Sequence, residues 1–417
     1  MMQFPASVKP SNPLWLTGLV FLGALMMVGT SWAQSGGLSL AEDGGPLNGT
    51  AQAGSAAIAR DAQTSWTNHA GLTRLESAEI MMTFQPLNLN YQFNPSSDTV
   101  VSGTDGGDQG GWMPGGAFFF GSPVTEKMAV GLSLTSPSGL VLDPEDDWVG
   151  RYYMTKTQLV ALNIEPSIGF ELSDQWSFGA GVDFQYATFE QSIAVRRPGP
   201  DDASVGIDGD SWQVGFSLST LFELNESHRL GLRYRSEISH DLTGDMEALQ
   251  GRNVSSSLTM PQSLTLSSHH QVSPSVALVV DLGWQEWSAF DRTAIDIDAL
   301  DGVQVEIPRN FKDTWTMALG THYQLNEKWL LMAGAAYTSS AVDDVDRTPD
   351  MPVDEQWRIA LGAELEAGKN WRIGGNYTFL DLGANTLDTT QLTAMSRVAG
   401  DYDAYAHVLG LYASVRF

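Results

Sequence analysis

From Trp176 the side chains alternate strictly, with Trp176, Phe178, Ala180, Val182, Phe184 and Tyr186 on one face and Ser177, Gly179, Gly181, Asp183 and Gln185 on the other. Only a strand places successive side chains on opposite faces, so a period of two fixes extended structure. The pattern returns at Trp212, Val214, Phe216, Leu218 and Phe222, at Trp315, Met317, Leu319 and Tyr323, and at Trp371, Ile373, Gly375, Tyr377 and Phe379. Each time the opposite face is small or polar. A soluble sandwich also alternates; what separates the two is the aromatic at both ends of the apolar face, as in Trp315 to Tyr323 and Trp329 to Tyr337. Eight steps at ~3.3 Å make ~26 Å of strand. That is the height of the apolar band of an outer-membrane barrel, whose strands are bounded by aromatic girdles.

Short turns fall at Ser173-Asp174-Gln175, Asn225-Glu226-Ser227, Ser273-Pro274-Ser275, Asn326-Glu327-Lys328 and Gly368-Lys369-Asn370, with a sixth near Ser122-Pro123. Between them lie long Asp- and Gly-rich connections, roughly 94–113, 137–157, 197–210, 243–256, 287–312, 340–355 and 381–401. Six turns and seven loops predict fourteen strands, an even number that returns the C-terminus to the periplasmic side. The fold class is therefore all-β: a fourteen-stranded antiparallel transmembrane β-barrel over residues 77–417, closing on a strand that ends at Phe417 itself.

The leader supports export. Lys9 precedes a largely apolar run from Leu14 to Val28, followed by Ser31-Trp32-Ala33. This reads as a signal peptide over residues 1–33, since the run is short of the ~20 residues a spanning helix needs. A formal charge of -27 argues against nucleic acid, which needs a basic stripe. With no cysteine there is neither a thiol nucleophile nor a cysteine-bound zinc.

Residues 34–76 lack alternation and are rich in Gly, Ala, Ser and Thr, yet carry Leu38, Leu40, Leu47, Ile58, Trp66 and Leu72 as apolar anchors. Wall side chains fill a barrel of about eight strands; a fourteen-stranded one leaves a wide lumen. The segment is expected to be a plug, the alternative being a periplasmic tail.

Ala56-Ala57-Ile58-Ala59-Arg60-Asp61-Ala62 followed by Asn68-His69-Ala70-Gly71-Leu72, together with Asp208 to Trp212, Leu232 to Glu237, Asn310 to Asp313 and Ala318 to Gly320, resemble the FadL-like family of outer-membrane transporters for long-chain fatty acids and other hydrophobic compounds. The similarity spans essentially the whole mature chain. It implies a fourteen-stranded barrel closed by an N-terminal hatch, with Asp61, Asn68, His69 and Ala70 in hatch positions and His69 where the family usually has proline. It also implies lateral release through a gap made by a kinked third strand, which matches Thr135-Ser136-Pro137-Ser138-Gly139. Proline cannot donate to a ladder and glycine weakens a strand, so Pro137, Ser138 and Gly139 form the candidate gate; an ordinary strand end is the competing reading.

The function expected is passive outer-membrane transport of a hydrophobic small molecule, most of all a long-chain fatty acid. It would proceed by loop capture, lumenal binding, hatch movement and lateral release, without enzyme chemistry or cofactor. Arg309 and Lys312, near the mouth of strand ten, are the candidate contacts for a carboxylate; the alternative is a solvated pair offsetting Asp301, Glu306 and Asp313. Neither a catalytic set nor a metal set is expected. Expected neighbours are outer-membrane lipid and lipopolysaccharide, with the chain a monomer in a Gram-negative-type envelope. His269-His270 beside Ser267 and Ser268 offer hydrolase residue types, but adjacent strand residues face opposite ways and no nucleophile elbow accompanies them. A general diffusion porin, or a structural or adhesive barrel, remains the alternative.

Overall fold

The computed structural model describes residues 43–196, 202–246, 252–290, 292–297, 303–391 and 396–417. The leader, Leu38 and Leu40 lie outside the described residues. Fourteen wall strands are present, several interrupted near the outer rim: β1 (Glu79–Phe84 and Leu87–Pro95), β2 (Gly111–Met113 and Phe118–Pro123), β3 (Met128–Leu142), β4 (Lys156–Ser173), β5 (Trp176–Val195), β6 (Ala203–Asn225) and β7 (His228–Arg235 and Ile238–Met246). They continue as β8 (Arg252–Met260 and Ser263–Ser273), β9 (Val276–Gln285 and Arg292–Ile297), β10 (Val303–Pro308 and Thr314–Gln324), β11 (Trp329–Thr338), β12 (Gln356–Glu366), β13 (Trp371–Asp381 and Leu387–Gln391) and β14 (Ser396–Arg416).

Every neighbouring pair is antiparallel, and β1 closes on β14 through Glu79↔Arg416 and Leu87↔Val408. Closure leaves the sheet without a free edge, the condition for a sheet to span lipid. The predicted apolar faces point outward: Trp315, Met317 and Leu319 are 63%, 59% and 57% exposed, and Phe417 ends the chain on the same outer surface. Five turns coincide with the predicted ones; the sixth is displaced to residues 124–127, after β2 ends at Pro123.

Several predicted loops are too long. Residues 137–142 belong to β3, 203–210 to β6, and 243–246 with 252–256 to a hairpin of β7 and β8. Strand segments also occupy parts of 287–312 and 381–401. These extensions carry the wall beyond the apolar band, where neither face needs hydrocarbon side chains, so the aromatic-bounded pattern stops before the strands do.

The lumen is filled from within. Leu47, Ile58, Trp66 and Leu72 of the N-terminal segment are all buried inside the barrel. Lumen-facing glycines permit its close approach: a Cβ at Gly231 would stand 1.8 Å from the Ala56 carbonyl oxygen, and one at Gly334 2.1 Å from that of Thr50. Above this segment, the outer half of the barrel holds a continuous apolar cluster that includes Tyr91, Phe93, Trp148, Trp287, Phe290, Phe311 and Tyr402.

Candidate functional site

The lumenal segment is tied to the wall by polar side chains on the strands' inner faces. Asn68 donates to the Ala56 carbonyl at 2.5 Å and the Thr220 carbonyl at 3.1 Å, while the Ala70 amide donates to Ser219 at 3.1 Å. His69 Nε2 is 2.6 Å from Ser217 Oγ and 2.8 Å from Glu165 Oε1, all three buried. On the far side Asp281 accepts from the Gly54 amide at 2.7 Å and from Ser55, and Arg229 donates to the carbonyls of Ala57 and Ile58, each at 3.0 Å. Arg60 pairs with Glu364 at 2.6 Å, and Asp61 is 3.8 Å from Arg372, which also pairs with Glu79. Buried charges persist when paired, so Asp61, Asn68, His69 and Ala70 are each placed by specific wall partners.

Between this segment and the apolar cluster lies a cavity of about 200 Å³. Its floor is Ala51, Gln52, Ser55, Trp66 and Thr67; its walls include Arg233, Arg235, Arg358 and, from β3, Pro137 and Ser138. Ile238 and Met260 belong both to this lining and to the apolar cluster, so the two are continuous. Trp66 lies under two guanidinium groups, whose carbon centres stand 3.8 Å (Arg235) and 4.8 Å (Arg233) from the ring centroid. Arg235 is neutralised by Asp183. Among the described residues, Arg233 Nε and Nη2 are buried without a hydrogen-bond partner. A guanidinium in that state is costly until an anion meets it.

The cavity abuts a defect in the wall. In β3, Thr135 pairs with Asn163 and Ser138 with Ala161, so Ser136 and Pro137 together oppose Leu162 in a β-bulge. The ladder between β2 and β3 covers Phe118–Pro123 against Ala129–Leu134. Beyond it, among the described residues, the Asp143 amide donates to the Gln109 carbonyl at 2.9 Å. Pro137, Ser138 and Gly139 thus lie within a wall strand, beside a stretch where the β2–β3 ladder has ended, rather than at an ordinary strand end.

Arg309 and Lys312 stand elsewhere. Arg309 is 1% exposed, and its two terminal nitrogens meet both Asp350 oxygens at 3.1 and 2.8 Å, with Thr348 at 2.8 Å. It fastens the β11–β12 loop to β10, so the expectation of a solvated loop pair fails for it. Lys312 is exposed and pairs with Asp343. Neither lines the cavity. Arg233 and Arg235 do, and they were signalled by Leu232-Arg233-Tyr234-Arg235: in a strand whose Leu and Tyr face lipid, both cations face the lumen.

A family model described as "Outer membrane protein transport protein (OMPP1/FadL/TodX)" matches residues 26–417. The chain belongs to that family. Among relatives of the OMPP1/FadL/TodX chain, the long-chain fatty acid transport protein of Escherichia coli O6:H1 is 24% identical, covering 86% of this chain and 91% of its own length. Outer membrane protein P1 of Haemophilus influenzae is 26% identical, with coverages of 86% and 89%. A solved structure of a Pseudomonas aeruginosa FadL homologue superposes with a TM-score of 0.84 at 21% identity, covering 91% of this chain and all of that one. The Ralstonia pickettii toluene transporter TbuX gives 0.65 at 15% identity, with coverages of 88% and 98%. The protein is an outer-membrane transporter of hydrophobic compounds.

Proposed function

We propose that the cargo is a long-chain fatty acid and that it crosses in three stages without covalent chemistry. The outer apolar cluster captures the tail, since each buried methylene contributes about 0.8 kcal/mol. The carboxylate then settles in the cavity against Arg233, where charge-assisted hydrogen bonds satisfy the guanidinium. Finally the floor of the cavity shifts and the chain leaves sideways beside Pro137, Ser138 and Gly139, where the β2–β3 ladder has ended. Residues 43–76 act as the hatch. Trp66, lying under Arg233 and Arg235, couples head-group arrival to hatch position, because an anion drawn onto Arg233 competes with the ring for the same cation. The carrying observation is that one cavity touches the hatch, the cation with unpaired donors and the bulge at once.

A cavity of about 200 Å³ has the space of roughly seven liquid waters, which suits a head group rather than a whole chain. The tail therefore extends into the apolar cluster while the head is bound. The test is uptake of a labelled long-chain fatty acid and a labelled aromatic hydrocarbon by cells with the protein, without it, and with Pro137→Val and Gly139→Val combined. Fatty acid uptake falls to the level of cells lacking the protein in the double variant, with normal barrel assembly. Identical uptake in all three strains would overturn the transport reading, and preferential uptake of the hydrocarbon would overturn the cargo.

A further inference from the structure

Two imidazoles meet on the outer surface of the barrel near its periplasmic rim. His228 opens β7 directly after the Asn225–Ser227 turn and is the direct cross-strand partner of His270 on β8. Their inward neighbours, Arg229 and His269, are buried in the lumen, so His228 and His270 face outward, and both are half-buried. Their Nδ1 atoms are 3.0 Å apart, with ring centroids 5.1 Å apart and planes at 52°. On the same face lie Leu230, Val272 and Leu278, the last paired with His270. These neighbours offer no competing charge.

We propose that His228 and His270 form a bidentate site for a divalent transition-metal ion of tetragonal preference, copper(II) above all. Nitrogen ligands at about 2.0–2.1 Å from a metal stand roughly 2.9 Å apart at a right angle and roughly 3.4 Å apart at the tetrahedral angle. The observed 3.0 Å lets both nitrogens reach one ion after side-chain shifts of a few tenths of an ångström. Direct register on paired strands fixes the two Cβ atoms, so little ordering accompanies binding. Copper(II) also stands highest among the first-row divalent ions for nitrogen ligands. Among the described residues no group of three or more side chains of metal-binding type occurs, so water completes the coordination. The bound ion staples β7 to β8, the strands whose Arg229 and Ser267 hold the lumenal segment at Ala57, Ile58 and Ala56.

The test is titration of the purified full-length barrel in detergent with copper(II), nickel(II) and zinc(II) chloride, followed by calorimetry and, for copper, electron paramagnetic resonance. One copper equivalent binds, at least tenfold tighter than zinc, with hyperfine structure of two imidazole nitrogens. Affinity drops at least tenfold in His228→Gln and equally in His270→Gln, while His407→Gln leaves it unchanged. Acidification weakens binding as protons compete for the same nitrogens. Copper binding that survives both substitutions together, a one-nitrogen spectrum, or no binding by the correctly assembled wild type would overturn the proposal and leave a hydrogen-bonded histidine pair.

Discussion

Arg233 and Arg235 are two residues apart, face the same cavity and touch the same tryptophan, yet their replacement should affect stability to very different degrees. Arg233 Nε and Nη2 are buried without a partner, and its cationic contact is the Trp66 ring at 4.8 Å. Arg233→Met removes a desolvation penalty of several kcal/mol but loses a cation–π contact of about 2 kcal/mol or less and the attraction of Glu165 and Asp183, so the terms largely cancel and stability changes little. Arg235→Met leaves Asp183 and Glu165 in the lumen without their guanidinium and destabilises by about 3–5 kcal/mol. Binding separates the two residues again. A charge-assisted hydrogen bond contributes about 1.5–3 kcal/mol, so Arg233→Met weakens hexadecanoate by about tenfold to about a hundredfold, while a neutral hydrocarbon of similar length is unaffected. Denaturant unfolding in micelles gives the stability, and equilibrium binding of both ligands to purified protein gives the affinity. Unchanged hexadecanoate affinity in an assembled Arg233→Met barrel would refute the head-group assignment, and a loss of stability as large as that of Arg235→Met would refute the contrast between the two cations.

Gly231→Ala tests the packing of the hatch: its Cβ would stand 1.8 Å from the Ala56 carbonyl oxygen, so the segment must shift, and single-barrel ion conductance in planar bilayers rises above that of wild type. Unaltered conductance would mean the segment does not seal the lumen. The outer loops have an acid limit. Burial by itself raises the Asp350 carboxyl, but the Arg309 guanidinium and hydrogen bonds from Thr348 and Gln191 outweigh it and hold the group below the usual carboxylate range. Its folded value is depressed, so the stabilisation is present above pH ~4 and lost as pH falls through the folded value. Protease cleavage within residues 339–355 should therefore accelerate only in strong acid for wild type, and already at neutral pH for Asp350→Asn.

The wall was legible because lipid imposes a simple demand. The outward side chains from Trp315 to Tyr323 are apolar but for Thr321 and the ends aromatic, and no soluble environment enforces that pattern over so many strands. The extensions escaped notice for the same reason: residues such as Ala203 to Asp210 lie beyond the hydrocarbon, so nothing in their composition distinguishes strand from loop. Buried anchors made the lumenal segment readable, whereas its partners were not. Asp281 and Glu364 meet Ser55 and Arg60 across sequence separations of more than two hundred residues, which no local pattern encodes. Arg309 misled because a basic residue in an Asp-rich loop reads as solvated, when Asp350 in the next loop buries it. In Leu232-Arg233-Tyr234-Arg235 the period that identifies the strand also turns both cations inward, so the better candidates were available from the same rule.

The distribution of wall contacts limits how the hatch can move. It bonds to β4 and β6 through His69, Asn68 and Ala70, to β7, β8 and β9 through residues 54–58, and to β12 and β13 through Arg60 and Asp61. Net contributions of about 0.5–1.5 kcal/mol per hydrogen bond, and more where charges would be stranded, make expulsion of the whole segment too costly for transport driven only by partition of the cargo. On the proposed route, movement is confined to the parts of the cavity floor outside those anchors, Ala51 and Gln52 with Trp66 and Thr67. There Ala51 and Gln52 hold left-handed backbones, at φ 52° and 68°, that side-chain-bearing residues adopt at a cost of about 1–2 kcal/mol each. Those two residues lie on the cavity lining while the runs on either side of them are anchored. On the proposed route, a head group arriving at Arg233 would loosen only Trp66 and this short floor for the chain to pass toward the bulge at Pro137.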